Sequence, residues 1–158
     1  MGTTSCSKTT TPSPEDVAVQ FYTMRDAIGT QGAPSVSELA ALRPFIADTL
    51  AHRLAYADTL RRGGSIPASD SASRVLRGDL FSSLFEGPST FRVMPGVRVG
   101  VHVVVPVECT SERVRPAVRW TDTMLVTKEG ERYVVQDIRF GAMRGQNRAP
   151  SLLARLAR

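Results

Sequence analysis

Every second residue from 97 to 105 is valine: Val97, Val99, Val101, Val103 and Val105. Side chains alternate between the two faces of an extended strand. Such a run lays branched apolar side chains on one face and Arg98, Gly100 and His102 on the other. An apolar face of that length has to be covered, and the first half of the chain supplies the cover. There the period is helical instead of alternating, with Val17, Phe21, Met24 and Ile28, and Tyr22 beside them, forming one stripe. Helical segments followed by alternating segments predict an α+β domain, N-terminal helices packed on a curved antiparallel β-sheet, in place of repeated βαβ units.

The boundaries follow from capping and turn chemistry. Residues 1–13 are rich in Ser and Thr and read as a flexible tether, and residues 14–158 as one α+β domain. Ser13-Pro14-Glu15-Asp16 is a helix start, with a hydroxyl cap, proline in the first turn and acids at the positive end of the dipole. Gly29 and Gly32 stop this helix near residue 30. A short second helix is expected at 37–42 with Ser37 as its cap. After Pro44, a third helix is expected to carry Phe45, Leu50, Leu54, Ala57 and Leu60 on one face and to end at Arg61-Arg62-Gly63-Gly64. Residues 63–77 read as a polar loop. Strands are expected at 90–94, from 97 to about 105, at 117–127 and at 132–140. Turns are expected at Pro95-Gly96, 110–116 and Glu129-Gly130, with Pro106 marking an edge or a bulge. Ser151 to Leu156 is a short amphipathic tail.

At 158 residues and 42% hydrophobic content the chain can bury a core of its own. No apolar run approaches the roughly 20 residues that span a bilayer. The formal charge is +5, but 18 of the 20 basic residues are arginines scattered along the chain, so no nucleic-acid partner is expected. Cys6 and Cys109 have no zinc-ligand spacing, and His52 and His102 are too far apart for a metal signature, so neither a metal nor another cofactor is expected. Cys6 opens a Ser/Thr/Pro tether and follows Ser5, an arrangement that resembles the start of a mature bacterial lipoprotein. The resemblance implies a lipid on Cys6, an export signal absent from these residues, and a place in the periplasm or cell envelope. A free thiol on the tail and a Cys6–Cys109 disulfide are the alternatives.

The ordered set of motifs is similar to a bacterial envelope branch of the nuclear-transport-factor-2-like superfamily. The likeness rests on Phe21-Tyr22, on Gly78-Asp79-Leu80-Phe81, on Trp120-Thr121-Asp122-Thr123-Met124-Leu125, on Tyr133 to Phe140, and on Ser151-Leu152-Leu153. It implies a cone of helices and bent sheet, and an envelope address, without implying a reaction.

Asp122 and Asp137 stand out as carboxylates in mid-strand, where such residues are disfavoured. Pointing inward, either could serve as a general base. The structural alternative is pairing with Arg119 or Arg139, or accepting backbone hydrogen bonds. Trp120 shares their strand and reads as packing or as a binding anchor. Phe81, Phe85 and Phe91 would pack the mouth of the cone or meet a ligand there. His102 is out of phase with the valines and faces the other side of the sheet. Cys109, seven residues farther along and of opposite parity, cannot form a nucleophilic pair with it. No nucleophile elbow or phosphate-binding glycine loop is present.

These readings lead to a non-enzymatic envelope protein, anchored through Cys6, that binds a protein partner. The partner could be a secreted effector or toxin met in an immunity role, or a component of a secretion system or other envelope machine. Homodimerisation through the sheet is compatible with the pattern. The alternative is a small-molecule binder or enzyme using the cone pocket, with Tyr22, Asp122 and Asp137 in its lining. Tyr22, Phe81, Phe85, His102, Trp120, Asp122 and Asp137 are therefore the candidate binding residues.

Overall fold

The computed structural model describes residues 10–64, 70–141 and 151–157, so Cys6 lies outside the described residues. Helix α1 (Pro14–Ile28) begins on a reciprocal cap in which the Ser13 hydroxyl accepts from the Asp16 N–H and Asp16 accepts from the Ser13 N–H. It ends at Gly29, whose φ of 60° is the left-handed conformation glycine adopts without a Cβ penalty. Val17, Ala18, Phe21 and Tyr22 form its buried face. Helix α2 (Val36–Leu42) is capped by Ser35 and not by Ser37. Glu38 completes a capping box with Ser35, which places the start two residues earlier than the Ser37 reading.

A 3₁₀ turn (Arg43–Phe45) follows, so Phe45 precedes α3 (Asp48–Gly63) and is not one of its residues. Leu50, Leu54 and Ala57 are buried along α3 as their spacing predicts. Within the expected loop at 63–77 stands a further helix, α4 (Asp70–Arg77). Its Ser-rich sequence is a weak helix former, and its place comes from docking. The Ala33 N–H donates to the Val75 carbonyl (2.7 Å) and the Gly32 N–H to the Gly78 carbonyl (2.8 Å). Gly32 has φ 76°, and a Cβ there would lie 2.4 Å from the Val75 carbonyl oxygen.

The sheet contains β1 (Thr90–Val93), β2 (Val97–Val99), β3 (His102–Ser111), β4 (Val118–Glu129) and β5 (Arg132–Arg139). All pairs are antiparallel, in the order β1-β3-β4-β5, with β2 also paired to β3. Because β4 occupies one side of β3, β1 and β2 share the other. They are one edge strand interrupted at Met94-Pro95-Gly96.

Two expectations are corrected here. Pro95-Gly96 does not reverse the chain, and the valine run is not one strand. The reversal falls at Gly100-Val101, a two-residue turn with Gly100 at φ 62°, which pairs Val99 with His102 and Val97 with Val104. Paired residues share a face, so the turn moves the two halves of the run to opposite sides of the sheet. Val103, Val105 and Val107 enter the core. Val97, Val99 and Val101 are 62%, 58% and 75% exposed.

Pro106 sits in mid-strand at no loss. Its carbonyl accepts from the Met94 N–H (2.9 Å), so its missing N–H points into the gap where the edge strand kinks. In the kink, the Gly96 N–H donates to Glu15 Oε1 (2.8 Å), which ties the edge strand to the start of α1.

Helix α1 packs across β1, β3, β4 and β5. The space between the layers is filled by Phe21, Tyr22, Phe81, Met124 and Ile138, each fully buried. The Phe21 ring meets Tyr22 and Phe81 edge-on, and Tyr22 stacks on Phe91 at 5.1 Å. Along its outer edge β5 is covered by Ile46 and Ala47, the latter donating to the Val135 carbonyl at 2.9 Å. Helix α5 (Leu152–Leu156), capped by the Ser151 hydroxyl, closes the domain beside β5 and α3.

Candidate functional site

The segment from Asp79 to Phe85 lies between α4 and β1, and nearly every polar group around it is spent on holding it. Arg74 Nη1 donates to the carbonyls of Asp79 (3.2 Å) and Ser82 (3.1 Å), and its Nη2 to that of Ser83 (2.7 Å). Arg155, on α5, donates to the carbonyls of Leu80 (3.3 Å) and Ser82 (3.0 Å) while its guanidinium lies 3.4 Å from the Phe140 ring centroid. Asp79 accepts from the Phe81 N–H (2.9 Å) and is ion-paired with the buried Arg25.

Asp122 is the centre of this arrangement. Its Oδ2 accepts from the Ser83 N–H (3.0 Å) and from Trp120 Nε1 (2.9 Å). Its Oδ1 accepts from the Gly141 N–H (2.9 Å) and from the Ser83 hydroxyl. An ionised carboxylate offers about four lone-pair sites, and here each meets a donor. No lone pair is left to take a proton from a substrate, so Asp122 fastens Ser83 and Gly141 to β4. Asp137 does not meet it. Thr123 pairs with Arg139, which puts Phe140 level with Asp122, whereas Asp137 lies opposite Leu125. Asp137 Oδ1 accepts from the N–H groups of Ile138 (2.8 Å) and Leu153 (2.9 Å), the latter in the first turn of α5. Of the two structural alternatives for these carboxylates, the structure takes backbone hydrogen bonds.

The other candidates are dispersed. Tyr22 is fully buried, and its hydroxyl makes no hydrogen bond of ordinary length among the described residues. Burial, then the Cys109 thiol and the Asp122 carboxylate, hold its pKa well above the usual phenol value. Burial, with Asp122 next in size, pushes the Cys109 thiol up to about 12, so it is neutral and inert at physiological pH. Burial and the neighbouring Arg74 pull Arg155 down to about 9, with Asp122 opposing, and it stays cationic at pH 7. Phe81 is core. Phe85 lies at the surface under Arg74. His102 faces outward, as its parity requires, and its Nε2 lies 2.6 Å from Gln136 Oε1 across the sheet. Gln136 is the extra residue of the bulge between Leu125 and Val126 in the β4–β5 register. Among the described residues no group of His, Cys, Asp or Glu converges in a way that could hold a metal ion.

On the face of the sheet turned away from the core lies a groove of about 530 Å³, crossing β1, β3 and β4. The strand register explains it. Phe91, Cys109 and Trp120 are level with one another and send their side chains inward, leaving backbone as the floor. Thr90, Thr110 and Arg119 form one cross-strand row beside that floor. Arg92, Glu108 and Thr121 form the next. Arg92 Nε donates to Glu108 Oε2 at 3.0 Å, whereas Arg119 has no ion pair among the described residues. The groove is polar and cationic, suited to meeting hydroxyl, amide and carboxylate groups.

Sequence reasoning placed Trp120 and Asp122 together but missed their partners. Ser83, Arg74 and Arg155 carry no local signal, since an arginine in a short helix reads as a solvated charge until the carbonyls it serves are in place. The outer-face row at Arg119 is readable as strand parity, which sets Arg119 and Thr121 on the side of β4 opposite Trp120 and Asp122. In comparisons with protein-family models, with characterised proteins and with solved structures, nothing matches the chain.

Proposed function

We propose that the chain is a non-enzymatic protein of the bacterial cell envelope, built as a nuclear-transport-factor-2-like cone, anchored by a lipid on Cys6, and binding a protein partner through the open face of its sheet. One observation carries the binding half of this reading. The buried Asp122 is saturated by donors of its own fold, while the outer face keeps a polar groove with Arg119 unpaired among the described residues. The aromatic filling of the space between the layers weighs against chemistry inside the cone.

The groove, together with half-buried Val104 and Leu125 on the same face, offers a mixed surface of the kind protein interfaces use, at roughly 800 Å² per partner. Arginines on that face and a formal charge of +5 favour an acidic partner. A secreted effector or toxin neutralised in an immunity role, or a component of an envelope machine, has the required location.

The test is affinity purification from native membranes of the wild-type chain beside an Arg119→Glu, Thr121→Glu variant. The reading expects a specific acidic protein with the wild type and its loss with the variant. Identical captured proteins from both would refute the outer face as the site. Mass spectrometry of the Cys6 peptide from the same preparation reports the lipid.

A further inference from the structure

The β2–β3 hairpin is apolar where it is most exposed. Val97, Val99 and Val101 are each more than half accessible, and Val97 and Val99 share their face with Val104. Nothing in the core requires valine at these places. The root of the tether lies at the base of the same hairpin, because Glu15, in the first turn of α1, accepts from the N–H of Gly96, immediately before β2. The tether therefore leaves the fold level with Val105, about 17 Å short of the tip, at the end of α1 that points toward the tip pole, since Tyr22 farther along the helix stacks on Phe91 at the level of Cys109. The outer-face groove is level with Cys109, about 24 Å from the tip along β3.

The lengths are compatible. From Gly96 to Val101 the hairpin extends about 17 Å. From Cys6 to Ser13 the tether spans at most about 24 Å when extended. A lipid on Cys6 thus leaves enough chain for the tip to reach the surface that holds the lipid, and little more. Charge does not drive the contact, since Arg98, Lys128 and Arg132 at this pole are balanced in part by Glu129 and Glu131, with Lys128 and Glu131 at 3.8 Å. Pairing of the edge with another strand is opposed by Pro95, Arg92 and Arg98. A second copy paired antiparallel about Arg98 would set two guanidinium groups opposite each other. Residues 3–11 bring no aliphatic or aromatic side chain to cover the valines.

We propose that the tip of the β2–β3 hairpin is a second membrane contact, in which Val97, Val99 and Val101 enter the interfacial layer of the bilayer that holds the tether. The proposal rests on the lipid-anchored reading. A lipid on a tether holds the domain at the surface without fixing its orientation, and a second contact at the tip sets which end of the sheet points away. With the tip seated, the groove at the far end of β3 faces away from the membrane, toward partners.

The full chain carries its own means of testing this. Cys109 is buried with a raised pKa, so a maleimide-headgroup lipid couples selectively at Cys6. Val101→Trp reports the tip, and Trp120, 7% exposed, is the internal control. On neutral phosphatidylcholine vesicles with brominated acyl chains, the Val101→Trp emission is expected to shift blue and be quenched, with little dependence on salt. The Trp120 emission of the parent chain is expected to stay unchanged. Adding Val97→Ser and Val99→Ser should abolish the quenching. Val99→Trp is the second reporter should the first variant not fold.

A water-like, unquenched reporter on a coupled vesicle overturns the proposal. So does a blue shift without vesicles accompanied by a doubled mass, which would assign the tip to a second copy, and so does one that needs a co-purified protein. Absence of lipid on Cys6 in native membranes overturns the anchored reading instead, and that result is read separately by mass spectrometry.

Discussion

Replacing Asp122 separates two accounts of why a carboxylate is buried in β4. If hydrogen bonding is its purpose, the cost of each substitution follows from the donors it strands. Asparagine keeps the shape and one oxygen. Its best orientation leaves that oxygen with the Ser83 N–H and Trp120 Nε1. The amide NH₂ then faces the Ser83 hydroxyl, which can turn and accept, and the Gly141 N–H, which cannot. One buried donor is stranded, a loss of about 1–3 kcal/mol. Alanine strands the N–H groups of Ser83 and Gly141 and the indole of Trp120 together, roughly 3–9 kcal/mol, against a whole-domain stability of about 5–15 kcal/mol. The Ser83 hydroxyl alone keeps a partner, the Gly141 carbonyl at 3.2 Å.

Urea unfolding followed by the emission of Trp120, the sole tryptophan, with circular dichroism as a second probe, measures both variants. Asp122→Asn should unfold cooperatively with a midpoint lower by about 1 M. Asp122→Ala should be largely unfolded or close to it in buffer. Equal losses for the two would show that the charge, and not the set of acceptors, is what the fold requires. Losses below about 0.5 kcal/mol for both would refute the reasoning altogether.

Three further outcomes are expected. Cys109 has a folded pKa of about 12 against 9.0 for a free thiol, so between those values the folded chain keeps a proton the unfolded chain releases. Its contribution is full below pH 9 and declines as pH rises, by up to about 1.4 kcal/mol per unit. Tyr22 acts in the same sense and Arg155 in the opposite one, so the difference between the wild-type and Cys109→Ala stability curves isolates the thiol, and a pH-independent difference would disprove its burial in protonated form. Arg155→Met leaves the Leu80 carbonyl without its donor and the Ser82 carbonyl to Arg74, and should raise amide exchange across residues 79–85 and cost about 1–3 kcal/mol; unchanged exchange there would rule out α5 as the clamp on that segment. Gly32→Ala should destabilise well beyond Gly130→Ala, for both have positive φ but only the first drives a Cβ into a carbonyl oxygen, at 2.4 Å. The Gly130 variant should lose only about 1–2 kcal/mol in thermal melts, and equal losses would refute the steric argument.

The elements legible in the sequence were those whose cause is local. Ser13, Pro14, Glu15 and Asp16 start α1, Gly29 stops it, and Gly130 makes the β4–β5 turn, because each acts on backbone within a few residues of itself. The change of period also divided helices from strands correctly, as burial on one face leaves a mark on every second or every third to fourth side chain. Helix α4 escaped because its serines are poor helix formers and its support comes from Gly32, Ala33 and Gly78.

The valine run shows where local pattern stops. Alternation states that a segment is extended, and a two-residue turn at Gly100-Val101 preserves the alternation while exchanging the faces, so the pattern reads the same whether the strand continues or folds back. The contacts with β3 settled that, and with it the exposure of the hairpin tip. Asp122 is the same case in polar form. Its place in a strand was written in the chain, but its duty depends on Ser83 and Gly141, donors brought to it from 39 and 19 residues away. A carboxylate looks identical in sequence whether its lone pairs are free for chemistry or filled by backbone, and only packing decides which donors arrive.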